Sequence, residues 1–465
     1  MPAHSSLTGA DLHAIGNRTG LVVAADNAPD AVKDAADYVC DGTADEVQLN
    51  AAIAALPANN GTVSSYTGVT TGAGEVVFVG TLNVAAPVTA NLDHVTIRGV
   101  GGSSRLRVAS GFVGDYVLSV NRDAQSRPCY NVVLRDFAID GRAKTLNASS
   151  GTILGLDAQL IQGRIGNVWI HEVSGDGINL RGDVSGWQGN SNIVADCLVY
   201  KCGGNGFYTF DLAADNEMKN CMFRQNVGHG CWFNTASWRV TDVFNWGNQG
   251  RGVLMSGGTA RMFFSNLKLE QNSGGLYIGL AGGGNHPSEV YVSNSQFGSN
   301  GWSTDISEPG TTFDDVQIAG SGGAPTGVYF SNCAWDGPYA QTARYGLNAI
   351  NGDRIRVSGG RIFPVGSYSA GQVNTNSLTG SNVQFHDVYG YNSSGSASVT
   401  ASGSPLTITA GFTPETIYVR GGTVSSVTKG GNQIAGTTDG AFVLEPGEAI
   451  VVTYSSAPTI WRDRR

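Results

Sequence analysis

The chain has 465 residues, a net charge of −9 and only 14% charged residues, with 66 glycines. That length can bury a large core and hold two or three domains. Without basic clusters, the negative balance argues against nucleic acid and anionic membrane as partners, and no apolar run reaches the length of a membrane span.

Residues 1–20 are polar, contain glycine and could not fold alone. No basic region followed by an apolar stretch opens the chain, so no secretory leader is expected. Residues 21–74 carry two helical stretches, 31–38 and 45–56. In the second, Val47, Leu49, Ala52, Ile53 and Leu56 fall at helical spacing behind the capping run Asp41-Gly42-Thr43-Ala44-Asp45. An amphipathic helix in front of a solenoid covers the open end, so this segment is predicted to be a helical cap.

From residue 75 to 392 an acidic or amide residue recurs in front of a small or apolar one. The column runs Asp136, Glu172, Asp196, Asn220, Asp242, Asn266, Asn294, Asn332 and Asp387, with Gly359 in the slot before the last. Self-similarity at intervals of 20–50 residues marks stacked supersecondary units. Asn and Asp tolerate left-handed backbone, which makes the column a row of turn formers before anything catalytic. Gly-rich corners follow in step, among them Gly175-Asp176-Gly177, Gly204-Asn205-Gly206, Gly228-His229-Gly230 and Gly250-Arg251-Gly252. They suggest glycines chosen for positive φ and close backbone approach.

Alternation in the strands after these corners assigns faces. Ile178, Phe207, Cys231, Val253 and Leu276 point inward with Leu180, Thr209, Phe233, Met255 and Ile278. Asn179, Tyr208, Trp232, Leu254 and Tyr277 point outward. The expected fold is all-β, a right-handed parallel β-helix of about a dozen coils, its hand taken from the usual chirality of parallel crossovers. Seven cysteines, three in the slot after the ladder residue (Cys197, Cys221 and Cys333), read as stacked free thiols rather than disulfides. None has zinc spacing, so neither metal nor cofactor is expected. Residues 393–396 read as a linker and 397–465, where the period is lost, as an antiparallel β-sandwich.

Candidate functional residues fall on one edge. Asp176, Asn205, His229 and Arg251 hold equivalent corner positions on successive coils, where a corner-ladder histidine is the bland reading and a catalytic or binding role the sharper one. Insertions at 181–190 (with Trp187), 211–217, 279–288 and 302–315 rise beside the outward column Asn179, Tyr208, Trp232, Leu254 and Tyr277. Such a strip suits either a subunit interface or a platform on which sugar rings stack. Asp183, Asp211, Asp215 and Glu217 could supply paired carboxylates for glycoside hydrolysis, or be solvated loop acids.

Residues 36–53, with Asp41-Gly42-Thr43-Ala44-Asp45 at their centre, and Val95-Thr96-Ile97-Arg98-Gly99 resemble the opening of pectate-lyase-like β-helix proteins, many of them bacteriophage tail spikes and fibres. The segment containing His4, Leu7, Thr8, Asp11, Leu12 and His13 resembles one that opens many phage minor tail proteins, which implies tail attachment. Gly228-His229-Gly230 is similar to a short polygalacturonase motif, but the Asp-Asp of that family is missing from the neighbouring coils and its Arg-x-Lys does not follow.

The resemblance implies a virion protein, made in the host cytoplasm, that forms a homotrimer and meets other tail or baseplate proteins through its N-terminus and a host cell-surface glycan along its side. Two readings stay open. One is a structural, receptor-binding spike without chemistry, and the sequence leans that way. The other is a tail polysaccharide depolymerase, a hydrolase or lyase. A free secreted lyase fits the attachment-like N-terminus poorly.

Overall fold

Left-handed corners organise this fold. The computed structural model describes residues 20–464 apart from 57–73, 122–127, 143–151, 183–187, 281–285, 302–313, 321–322, 337–342, 363–367, 369, 377, 392–394 and 437–438. The attachment segment and its six named residues, Trp187 and Asp183 therefore lie outside the described residues. Positive φ recurs in steps of five: Gln162, Asn167 and Glu172, then Ser191, Asp196 and Lys201, then Asp215, Asn220 and Gln225, all between 50° and 58°. Five residues hold one short strand and its turn, so each triplet brackets two consecutive faces of a coil.

On the first face, Ile193–Ala195, Asn216–Lys219 and Trp238–Thr241 pair in parallel. On the second, Leu198–Tyr200, Met222–Arg224 and Phe244–Trp246 do the same. Ile178–Arg181, Phe207–Phe210 and Cys231–Phe233 make the third. Three parallel faces per coil are a parallel β-helix. The chain divides into two compact units, one of Met1–Phe263, Leu267–Ser273 and Ser303–Thr311, the other of Phe264–Asn266, Gly274–Trp302 and Thr312–Arg465.

All ten ladder residues adopt the left-handed conformation, with φ of 50–63°. The register needs one correction. Asn167, not Glu172, holds the slot between Asp136 and Asp196, and its Nδ2 donates to Asp136 Oδ1 at 2.9 Å. Glu172 sits five residues on, in the column of Lys201 and Gln225, where its amide donates to the Tyr200 carbonyl. The cause is that Arg164–His171 runs through two faces, so Val168-Trp169-Ile170 belongs to the second. At such a corner Asn220→Gly should be nearly neutral, whereas Asn220→Val should cost about 1–2 kcal/mol. Guanidinium unfolding midpoints measure the difference, and equal midpoints would remove the conformational explanation.

The Gly corners also differ from expectation, since none of Gly177, Gly206 and Gly230 has positive φ. Close approach alone selects glycine there. A Cβ on Gly230 would lie 2.6 Å from the Gly252 carbonyl oxygen and 2.9 Å from Asn248 Nδ2.

Inside, the apolar columns are fully buried, including Ile178, Phe207, Cys231, Leu180 and Phe233. All seven cysteines are free thiols and buried. A second ladder, of asparagines, runs through this interior. Asn226 Nδ2 donates to Asn248 Oδ1 and Asn248 Nδ2 to Asn272 Oδ1, each at 2.9 Å, while the backbone amides of Asn226 and Asn248 donate to the same oxygens at 3.1 Å. The ladder satisfies corner amides that no strand partner can reach.

Parallel pairing is already present at Gly20–Ala24, which pairs with Gly74–Val79. Helix Glu46–Ala55 buries Leu49, Ala52 and Ile53. Its polar side chains are stitched to the first coil: Asp45 Oδ2, Glu46 Oε2 and Asn50 Oδ1 accept from the amides of Asn83, Ala85 and Thr89 at 2.7–2.9 Å. These amides alternate along an edge that would otherwise invite another strand.

In the second unit, strands Ser288–Ser293, Thr326–Ser331, Asp353–Ser358 and Val383–His386 stack in parallel. Two four-stranded antiparallel sheets follow from Gly395. Ile417, Val419 and Ile460 from one share a core with Ile408, Val427, Ile450 and Val452 from the other. The last coil is covered too, its Phe385 amide donating to the Phe412 carbonyl at 2.7 Å. In the last strand, Thr459–Arg464, Arg462 and Arg464 both pair with the buried Glu415.

Candidate functional site

The edge singled out by sequence is a chain of backbone-to-side-chain hydrogen bonds. Asp176 Oδ1 accepts from the amide and Nδ2 of Asn205 (2.6 and 3.0 Å), and Asn205 Oδ1 accepts from the His229 amide (2.9 Å). His229 Nδ1 then accepts from the Arg251 amide at 2.9 Å, so its proton resides on Nε2. Each member ties down the next coil. Burial raises the Asp176 carboxyl above its ordinary value, opposed by the Asn205 hydrogen bonds. His229 is buried, with its ring edge-on to Trp232 at 5.7 Å.

The outward strip of the third face is partly covered within a single chain. Asn179 and Leu254 are buried, while Tyr208, Trp232 and Tyr277 are half-buried. Tyr208 packs 4.6 Å from Trp232 and 4.7 Å from Phe210, and Trp232 Nε1 donates to Ser256 Oγ at 2.7 Å. Asp211 is exposed, at a left-handed corner beside this strip.

The structure separates Asp211 and His229 from Asp215 and Glu217, which line an open groove of about 510 Å³ over the first face. Two columns form its floor. Corner residues Ser191, Asp215, Ser237 and Arg261 make one; the other holds the outward strand residues Ile193, Glu217, Arg239 and Phe263, two places further along each coil. Successive coils advance by about 4.8 Å. Phe263 is 48% exposed, so part of its ring meets solvent.

The floor is rigid for a local reason. The Asn192 amide donates to Asn216 Oδ1 at 2.8 Å and Asn216 Nδ2 to the Gly189 carbonyl at 3.0 Å. Trp238 replaces the next asparagine and donates from Nε1 to the Ala213 carbonyl at 2.9 Å. Glu217 meets Lys219 Nζ at 3.4 Å.

Two further clusters escaped the sequence reading. Asp140, His171 and Glu172 bring three ligand-type atoms within 4.8 Å of one another. A cation there would face Arg105 and Arg107, which already hold Asp140 Oδ2 at 3.3 and 3.1 Å, so the cluster is an ion-pair network. In the second unit Asp314 and Asp315 are fully buried. Asp314 accepts from Arg344 Nε and Nη2, both at 3.2 Å, and from Asn348 Nδ2 at 2.6 Å. Asp315 Oδ1 accepts from Asn300 Nδ2 at 2.8 Å, while its Oδ2 and the Tyr368 hydroxyl, which lie against each other, make no hydrogen bond of ordinary geometry. Burial pushes the Asp315 carboxyl up to about 7, with Asn300 opposing and the Asp314 charge adding to the rise.

Neither the protein-family models nor the curated proteins contain a match to this chain. Among solved structures, the A-module of an Azotobacter vinelandii mannuronan C-5 epimerase aligns over 75% of this chain and 92% of its own, at 16% identity and a TM-score of 0.55. That likeness is one of fold. The Dettilon tailspike protein aligns over 100% and 98% at 10% identity, with a TM-score of 0.48. A tailspike capsular polysaccharide depolymerase of the Acinetobacter baumannii bacteriophage Fri1 aligns over 84% and 79% at 11% identity, with a TM-score of 0.44.

Proposed function

We propose that the chain is a subunit of a phage tail spike or fibre that binds host cell-surface polysaccharide along the first face. The phage assignment is supported by the resemblance of residues 36–53 and of the N-terminal segment. The glycan assignment is supported by one observation above the rest: an open groove crossing four coils that combines hydroxyls, carboxylates, guanidinium groups and an exposed aromatic ring on a rigid floor. Polar side chains order sugar hydroxyls, and the ring offers a stacking face. Sedimentation with purified host envelope polysaccharide tests this. Phe263→Ala should weaken retention about tenfold, since an aromatic contact is worth about 1.4 kcal/mol. Retention unchanged by that variant would remove the groove from the reading.

A second reading, depolymerisation, is favoured by two carboxylates, Asp215 and Glu217, lining the same groove, since hydrolysis of a glycosidic bond works through a pair of carboxyl groups. In that case polysaccharide incubated with the protein gains reducing ends, and Asp215→Ala abolishes the gain. Unsaturated ends would indicate elimination instead. Polymer that stays intact leaves a binding spike. The same assignment gives residues 1–20 the attachment to other tail proteins, and it expects a trimer; a stable monomer by solution mass would count against it.

A further inference from the structure

The charges in the groove select among polysaccharides. Arg239 and Arg261 are exposed at its floor, and among the described residues neither has an ion-pair or hydrogen-bond partner. Elsewhere in the same unit Arg98, Arg105, Arg107, Arg135 and Arg181 are each paired with a carboxylate. Among the described residues of the unit Arg142, Arg164 and Arg224 make no ion pair either, so what sets Arg239 and Arg261 apart is their shared place in the groove. Within the groove Glu217 is matched by Lys219, which leaves the two guanidiniums facing one unmatched acid, Asp215.

Arg261 and Phe263 lie on the coil that pairs with the Arg239 strand, so cation, cation and aromatic ring are neighbours across a single coil step. A guanidinium offers a planar fork that matches carboxylate or phosphate oxygens in pairs. A neutral sugar offers the fork only uncharged hydroxyl oxygens, and those bonds are about half as strong.

We propose that the groove is specific for acidic polysaccharide, with an anionic substituent seated between Arg239 and Arg261 and the adjoining ring lying on Phe263. Hydroxyls of that segment donate to Asp215 and Glu217. The inference rests on the first face being the glycan surface and adds the class of polymer it takes. Carboxylate of a uronic acid and phosphate of a teichoic-type polymer share the required chemistry.

Four probes separate the possibilities: polygalacturonate, the same polymer after carboxyl reduction, a glycerol-phosphate polymer and dextran. One or both anionic polymers should bind, with affinity falling steeply as salt screens the contact, and the reduced polymer and dextran should not. The Arg239→Ala/Arg261→Ala double variant should weaken binding about ten- to hundredfold, and the corresponding double lysine variant should recover part of it. Arg356→Ala, on an exposed first-face position of the other unit, should change nothing. Circular dichroism and melting temperature confirm that each variant is folded. Retention of the carboxylate polymer alone, or of the phosphate polymer alone, identifies the substituent and supports the inference in either case. Equal binding of the carboxyl-reduced polymer, lost in Phe263→Ala, overturns the acidic class while the glycan reading stands. If none of the four binds, both fall.

Discussion

Asp315→Asn is expected to flatten the pH dependence of stability and to stabilise the protein at alkaline pH. Burial holds the folded carboxyl at about 7, against an ordinary value of 3.8, so the folded chain keeps a proton that the unfolded chain releases. The stabilising proton is fully in place below about pH 4, is lost as pH rises through about 7, and leaves stability level above that. Roughly three pH units at 1.36 kcal/mol each set the total at about 4 kcal/mol. Asparagine keeps the shape. Its Oδ1 still accepts from Asn300, and its Nδ2 offers a hydrogen to the Tyr368 oxygen that now has none. Guanidinium midpoints at pH 4, 6 and 8 should therefore diverge with rising pH, the variant lying higher at pH 8 and level with the parent at pH 4. Parallel curves would mean that Asp315 is charged without penalty or never protonated.

Asn248→Ala should be as severe in the opposite direction. The side chain accepts from Asn226 twice and donates to Asn272 Oδ1 and to the Phe223 carbonyl. Truncation strands the amide of Asn226 and its Nδ2 in the buried interior and opens a cavity beside Gly230. At about 1–3 kcal/mol for each unsatisfied group, a loss of about 4 kcal/mol is expected, enough to prevent folding in a marginal background. Asn220→Ala provides the control. Asn220 Nδ2 donates to Asp196 Oδ1 on the solvent side, where water can replace the bond, so it should lose about 1 kcal/mol. Similar losses at the two positions would show that the interior ladder contributes no more than the outer one.

The parallel β-helix was legible because its corners impose left-handed backbone, and Asn, Asp and Gly are the cheapest residues there. The same signal misled at Glu172. Lysine, glutamine and serine occupy the third corner as readily as glutamate, so that column has no residue signature to separate it from the second. The asparagine ladder was visible in principle, since Asn226, Asn248 and Asn272 each follow a left-handed residue in step with the outer column. Glycine's role at Gly206 and Gly230 is set by the neighbouring coil and is silent in the sequence, because close approach and positive φ leave the same letter there. Proximity along the chain grouped Asp211 with Asp215. The corner at Asp215 turns the chain onto a different face, and only register brings Arg239, Arg261 and Phe263 beside it.

The five-residue steps also bear on how such a protein can change. From Ser191 to Asp196 to Lys201, or from Asp215 to Asn220 to Gln225, the two short faces tolerate no gain or loss of a residue without shifting every inward side chain to solvent. Between one triplet and the next the count varies: fourteen residues from Lys201 to Asp215, twelve from Gln225 to Ser237, eighteen from Gln271 to Glu289. Length variation is therefore confined to the arc carrying the third face. The groove lies wholly on the arc of fixed length. New specificities there should arise by point substitution at a handful of outward positions, in lineages whose alignments show no gaps across the very residues that diverge fastest.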